Sequence, residues 1–396
     1  MNPHHRTAND LVLDALHSMR ALVGMEVAFI SQFKDGRRIF RYVDPLGSDV
    51  PIRVGGSDLL EDSYCQRIVD GRLPELIHDA MQLAEARRLP ATAAVPVGAH
   101  LSVPIRLSDG VIYGTFCCFS RTANSALNAR DIDTMRCFAD ITAKFIEEQV
   151  AEEKRREMLL ARHVAVLNAE HFAIVYQPIV QIADNQVTGY EALTRFLANP
   201  VRTPDIWFEE AAEIGLQQTL ELAVIAKALR NLSRLPEDTY ISINASPTTV
   251  LSGTLGKALL HYPCDRLMLE LTEHSSVNDY AQIVNVIEPL RRRGLQLAVD
   301  DAGAGFASFR HILELKPNVI KLDTSLIRQI DINKGHRALA AALVRFAQET
   351  GSQVVAEGVE TEAELAILRE LGVDKAQGYL LGRPAPIEAF LGGRGA

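Results

Sequence analysis

Leu297-Ala-Val-Asp-Asp-Ala-Gly-Ala-Gly-Phe306 is a short apolar run that delivers two adjacent carboxylates, Asp300 and Asp301, into a segment with glycine at 303 and 305. Alternation along a strand sends the two side chains to opposite faces. At a strand end, the first can face inward while the second curls with the loop, so that one divalent cation, or two, engages both. The other reading is an acidic turn in which aspartate caps the following helix. The residues around this stretch decide between them.

Outward from it, the same unit recurs. Apolar, β-rich runs fall at Ile174 to Ile179, Val187 to Leu193, Tyr240 to Asn244, Leu267 to Leu271, Gln296 to Asp300, Val319 to Leu322, Gln353 to Ala356 and Lys375 to Gln377. Helical periodicity lies between most of them: Trp207 to Ile214, Leu220 to Leu232, Val277 to Arg292, Arg337 to Glu349 and Glu362 to Leu371. Eight strands with intervening helices from about residue 166 predict an α/β fold, a (β/α)8 barrel of the TIM kind. Such a barrel builds its site at the carboxyl ends of the strands. Read in order, those ends offer Gln177, Glu191, Asn244, Glu270, Asp300 with Asp301, Lys321, Glu357 and Gln377, all of them polar. A polar residue at one strand end is usually only leaving the core, but eight ends in a row are not explained that way. Five carboxylates and an amide oxygen are hard ligands suited to Mg²⁺ or Mn²⁺, and the lack of clustered histidine or cysteine disfavours zinc.

Glu191-Ala-Leu-Thr-Arg195, Asn244-Ala-Ser246, Glu270-Leu-Thr-Glu273, Asp300-Asp301, Lys321-Leu-Asp323, Glu357-Gly-Val-Glu360 and Gln377-Gly-Tyr379, in this order over residues 160 to 393, resemble the EAL family. The resemblance implies a phosphodiesterase that opens cyclic di-GMP to linear pGpG with two divalent cations, Mg²⁺ or Mn²⁺. It implies Glu191, Asn244, Glu270 and Asp300 around one ion, and Asp300, Asp301 and Glu357 around the other. It further implies that Lys321 orients the attacking water or steadies negative charge, that Gln377 holds that water, and that Gln177 and Arg195 contact substrate. Glu273 is counted with the catalytic set as the anchor of the loop after Asp301, and Glu360 as a brace behind the site. Asp323 is expected to cap the helix from Thr324, and Trp207 to pack rather than stack on a ligand. The chain departs from the family where it reads Ala302-Gly-Ala-Gly-Phe306 in place of the usual Phe-Gly-Thr-Gly-Tyr, which predicts slower or more conditional turnover. Two alternatives stand beside the enzyme: an idle cyclic di-GMP receptor that signals to a partner, and hydrolysis of another phosphodiester.

The amino-terminal part reads differently. A helix over residues 8 to 20 precedes two hairpins, Glu26 to Phe33 with Arg38 to Tyr42 about Asp35-Gly36, and Leu101 to Leu107 with Val111 to Phe119 about Asp109-Gly110. With Ser63-Tyr64-Cys65, Arg72-Leu73-Pro74 and Tyr113-Gly114-Thr115, this part resembles the GAF family of sensor domains over residues 8 to 148. That implies a small ligand or signal of unknown identity. His78 or His100 could face its pocket, or be surface and satisfied core. Cys65 lacks the following histidine of a bilin-attachment site. No proline or glycine interrupts 131 to 169, so one helix of up to about 58 Å can run through, paired across a homodimer; two helices broken near Glu153 is the other reading. The expected layout is a sensor over 1–148, a helical linker over 149–165 and a barrel over 166–396. The composition, 47% hydrophobic and 23% charged, is that of a globular chain, and a net charge of −9 argues against DNA, RNA or an anionic membrane as a general partner. No apolar run is long enough for membrane insertion, and five cysteines without ligand spacing read as reduced thiols, so a cytoplasmic location is expected.

Overall fold

Asp35 and Gly36 both take positive φ, 51° and 69°, as an Asp-Gly hairpin turn requires. They join strand β1 (Val27–Lys34) to β2 (Arg37–Asp44) in antiparallel register. The computed structural model describes residues 7–45, 52–271, 279–302 and 306–391, with the side chains at 301, 306–309 and 311 excepted. Strands β3 (Ser57–Leu59), β4 (Leu76–Ile77), β5 (Ala99–Arg106) and β6 (Ile112–Ser120) complete an antiparallel sheet of order β3-β2-β1-β6-β5-β4. Period-two alternation gives it two apolar faces. Ala28, Ile30, Phe116 and Cys118 pack against the helix Ala8–Val23 and the start of a long helix. Val27, Phe29, Cys117 and Phe119 pack on the other side with Tyr64, Cys65 and Ile68.

The chain divides into two units, Met1–Arg156 and Glu157–Ala396. The division falls within a single helix, Ala129–Asn168, so the break near Glu153 does not occur. Among the described residues no helix is long and apolar enough to cross a membrane.

The second unit is a closed barrel of β7 (Phe172–Gln181), β8 (Val187–Phe196), β9 (Tyr240–Ala245), β10 (Leu267–Leu271), β11 (Gln296–Ala302), β12 (Val319–Leu322), β13 (Gln353–Ala356) and β14 (Lys375–Ala376). Strands β8 to β14 run parallel, each to the next, while β7 is antiparallel to both neighbours, β8 and β14. This corrects the expectation for the first strand. The connection over 182–186 is too short for a crossover helix, Asn185 turns it at φ 58°, and a hairpin results. Gln177 therefore lies in mid-strand opposite Glu191 rather than just inside a carboxyl end. A further helix, Phe306–Leu315, which the sequence periodicity does not single out, connects β11 to β12.

Inside the barrel, Ile179, Tyr240, Met268, Ala298, Val319 and Val355 form an apolar layer. Two residues further along each strand the same face is presented again. From Met268, Ala298, Val319 and Val355 that step reaches Glu270, Asp300, Lys321 and Glu357. The outward residues Ile320, Leu322 and Val354 join the larger core under the helices. Alternation along four short strands thus sets a charged layer on an apolar floor.

Candidate active site

Lys321 is the hub of that layer. Its side chain is 2% exposed, and its ammonium lies 2.6 Å from Glu357 Oε1, 2.7 Å from Glu270 Oε2, 3.3 Å from Asp300 Oδ1 and 3.6 Å from Glu191 Oε2. Burying an ion costs several kcal/mol, roughly, unless partners meet it. Here the partners outnumber it, four carboxylates to one ammonium. Burial, together with repulsion from Glu191 and Asp300, lifts the Glu270 carboxyl to about 8 against the pull of Lys321. Burial and the same neighbours raise Glu357 as well. Burial opposes the charge on Lys321, but the carboxylates around it prevail and hold its pKa above the ordinary lysine value. Exposure rises from 0% at Glu270 to 16% at Glu357 and 19% at Asp300, so the layer opens toward the last two.

Side-chain hydrogen bonds fix the rest. Ser242 donates its hydroxyl to Glu270 Oε1. Asn244 Nδ2 donates to Glu191 Oε1 at 3.2 Å. Gln377 Nε2 donates to Glu191 Oε2 at 2.6 Å and to Gln177 Oε1 at 3.0 Å, and Gln177 Nε2 in turn donates to the carbonyl of Gly382 at 3.1 Å. Gln377 Oε1 is buried and has no hydrogen-bond partner among the described residues. Gly378 is what lets the chain after β14 come this close: a Cβ there would lie 2.1 Å from the Val359 carbonyl oxygen, a contact only glycine avoids.

The predicted residues Glu191, Asn244, Glu270, Asp300, Lys321, Glu357, Gln377 and Gln177 are therefore brought together. Arg195 is exposed and donates through Nη1 to the Thr194 carbonyl, but it lines the same cavity of about 410 Å³ as Glu191, Asn244 and Asp300. Glu273 and the loop 303–305 lie outside the described residues, as does the side chain of Asp301. Glu360 is exposed, and its amide donates to Glu364 at 2.9 Å. Asp323 caps the helix Thr324–Ile327 by accepting from the Ser325 amide. Trp207 is fully buried and stacks on Phe196 with ring centroids 4.9 Å apart.

Sequence reading misses Ser242 and Glu221. Glu221, 6% exposed on the helix Gln217–Leu229, accepts from both the amide and the hydroxyl of Ser246 at 3.0 Å and so holds the end of β9 that carries Asn244. Ser246 within Asn244-Ala-Ser246 is the available signal, since a serine there needs a buried acceptor.

Whether these residues suit divalent cations rests on their chemistry. Carboxylate and amide oxygens converge, all hard donors, and one ammonium faces four carboxylates; burial and this excess of negative charge are why Glu270 and Glu357 hold protons so readily. Among the described residues no cluster of three ligands stands ready spaced. The carboxylates close on the Lys321 ammonium instead. The donor set fits a hard cation, while the spacing is that of carboxylates gathered on a lysine.

Comparison with known proteins adds to this geometry. Residues 159–384 match the EAL domain family and residues 5–147 a GAF domain family. An uncharacterized signaling protein of Caulobacter vibrioides is 31% identical over 307 residues, 74% of this chain and 36% of the relative. The cyclic di-GMP phosphodiesterase NbdA of Pseudomonas aeruginosa is 30% identical over 262 residues, 63% of this chain and 33% of the relative. This chain thus spans about a third of the length of these two curated relatives. Among solved structures, the PaMucR phosphodiesterase in its c-di-GMP complex matches with a TM-score of 0.53 at 29% identity, over 59% of this chain and 99% of that one.

Proposed function

Because the chain belongs to the EAL domain family and carries a GAF domain before it, we propose that it is a cytoplasmic, metal-dependent phosphodiesterase that hydrolyses cyclic di-GMP to linear pGpG. The observation that carries this is the convergence of Glu191, Glu270, Asp300 and Glu357 on Lys321 beside a cavity of about 410 Å³. Glu191, Asn244, Glu270, Asp300, Asp301 and Glu357 would hold Mg²⁺ or Mn²⁺, which supplies an acidified water and neutralises charge on the phosphate. The chain's own residues do the rest. Lys321 presents a buried, permanently charged donor toward negative charge that develops at the opened edge of the layer. The free Oε1 of Gln377 accepts a hydrogen bond from the attacking water, while its Nε2 is held by Glu191 and Gln177 and so keeps the amide aimed. Gln177, whose amide is held between Gln377 and the Gly382 carbonyl, is assigned to substrate contact, and Arg195 in the cavity wall offers a planar fork of donors to a phosphate. Incubation of the chain with cyclic di-GMP and Mg²⁺ or Mn²⁺, read by mass detection, is expected to yield pGpG and to stop with a chelator. Tight binding without turnover in either ion would overturn the enzyme reading and favour the receptor.

The GAF domain regulates turnover, in this reading, through the helix Ala129–Asn168 acting within a homodimer. Leu160 and Val164, four residues apart on one face of that helix, are 44% and 41% exposed, apolar positions that a second copy of the helix would cover. Deleting residues 1–150 is expected to change both the rate and the sedimenting mass per chain. A truncated chain with the same turnover and the same oligomeric state would refute control by the sensor.

A further inference from the structure

The sensor unit holds a polar cluster for which phosphodiester hydrolysis has no use. Cys65, on the helix Tyr64–Val69, and Cys117, on β6, are both fully buried, with sulfurs 3.6 Å apart. Buried cysteines are ordinarily inert small hydrophobes. These two are not in ordinary surroundings. Arg38, only 5% exposed, donates from Nη1 to Cys65 Sγ at 3.3 Å while Asp58 takes its Nε at 2.9 Å. Ser102 Oγ and Thr115 Oγ1 lie 3.1 and 3.2 Å from Cys117 Sγ. A guanidinium is thus aimed at one sulfur, while the other donates to Thr115 Oγ1 and shares a hydrogen bond with the Ser102 hydroxyl. Burial alone would raise the Cys65 pKa, but the hydrogen bond with Cys117 and the charge of Arg38 bring it down to about 5. Cys117 goes the other way, raised by burial and by its neighbour Cys65. Cys118, next in the chain but on the opposite face of the sheet, is simply raised by burial. The arrangement separates a thiolate from a thiol within contact distance, the disposition of an attacking and a resolving cysteine.

A cavity of about 200 Å³, with Arg38, Tyr64 and His100 in its wall, stops one side chain short of Cys65, so an oxidant reaches the sulfur when the Arg38 side chain moves aside. Arg38 both lines this cavity and touches Cys65 Sγ, so a molecule little larger than water reaches within one side chain of the thiolate.

We propose that Cys65 and Cys117 form a reversible dithiol–disulfide couple that takes a hydroperoxide as oxidant and an external thiol as reductant. The Cys65 thiolate attacks one peroxide oxygen: an S–O bond forms, the O–O bond breaks, and the departing oxygen takes a proton and leaves as water or an alcohol. Cys117 then attacks the sulfur of the Cys65 sulfenic acid. The S–S bond forms, the S–O bond breaks, and hydroxide leaves as water with the proton of Cys117. Two thiols lose two electrons in all, and the peroxide gains them. For the second step the sulfurs close from 3.6 Å to about 2.05 Å. Oxidation removes the anion that Arg38 faces and leaves it with Asp58 on the cavity wall.

The test uses the folded full chain treated with hydrogen peroxide and then quenched with an alkylating agent. The expected result is a loss of two hydrogen masses, a Cys65–Cys117 cross-linked peptide in a non-reducing map, and full reversal by dithiothreitol. In Cys117→Ser, oxidation is expected to stop at a Cys65 sulfenic acid that dimedone traps, while Cys118→Ser cross-links like the parent. Arg38→Met is expected to slow the first step roughly tenfold at neutral pH, by lowering the thiolate fraction of Cys65. The proposal is overturned if peroxide modifies the exposed Cys137 and leaves Cys65 and Cys117 alkylatable on unfolding, or if Cys118 enters cross-links as often as Cys117. The peptide map of the parent needs no variant, so a variant that fails to fold does not obscure the result.

Discussion

Lys321→Met, measured in a chelator at about pH 9, is expected to cost the barrel about 3–5 kcal/mol, the penalty for stranding buried charges without their partner. That corresponds to a melting temperature lower by roughly 6–20 °C for a unit of this size. Methionine fills similar space, so the loss comes from charge and not from a hole. Four carboxylates would then face one another with the ammonium gone. They have a means of relief, which sets the pH dependence. Glu270 already titrates near 8 in the folded chain because it is buried among like charges, well above its ordinary value. The folded state therefore holds protons that the unfolded state has released, and stability falls as pH rises from about 4.5 through about 8. Without Lys321 this slope steepens, so the penalty should be small at about pH 5 and largest at about pH 9. Divalent cations give an independent check: Mg²⁺ or Mn²⁺ at a hundredfold excess over its dissociation constant should restore about 2.7 kcal/mol in the variant by binding only the folded state. A Lys321→Met melting temperature equal to the parent's at both pH values, with no response to either ion, would remove the basis for a charged layer in need of cations.

Much of that layer is legible in the sequence because a strand has period two. The runs Tyr240 to Asn244, Leu267 to Leu271, Val319 to Leu322 and Gln353 to Ala356 agree within a residue with the observed strands, so alternation alone points to their inward ends. What escapes depends on partners far away in the chain. The reversed β7 is decided by a turn over 182–186, and an apolar strand reads the same in either direction. Glu221 gives no sign within its own helix that it is buried. Only the approach of Ser246, 25 residues further on, explains it. The family resemblance directs Lys321 to water or phosphate, yet its four contacts are all to carboxylates, and that set depends on how the strands are staggered in the closed barrel. The thiol pair of the amino-terminal unit is invisible in the sequence for the same reason, since 52 residues separate Cys65 from Cys117.

Glu191→Ala separates chemistry from stability in the opposite sense to Lys321→Met. Glu191 is tied to Asn244, Gln377 and Lys321 at once, so its removal takes away an oxygen donor and frees two amides that it orients. Losing one such preorganised group is expected to lower kcat roughly a hundred- to thousand-fold, and the loosening of Gln377 places the result toward the larger figure. Stability should move little or rise, because the variant relieves an excess of negative charge around Lys321. Asp300→Ala should behave alike, as the more exposed member of the same set. Under the proposed function, binding of cyclic di-GMP measured by calorimetry should persist in both, since the residues assigned to substrate there, Gln177 and Arg195, remain. The decisive comparison is therefore rate against melting temperature. A folded Glu191→Ala chain that turns over at the parent's rate would mean that this layer is a structural ion cluster and that hydrolysis, if observed, happens elsewhere.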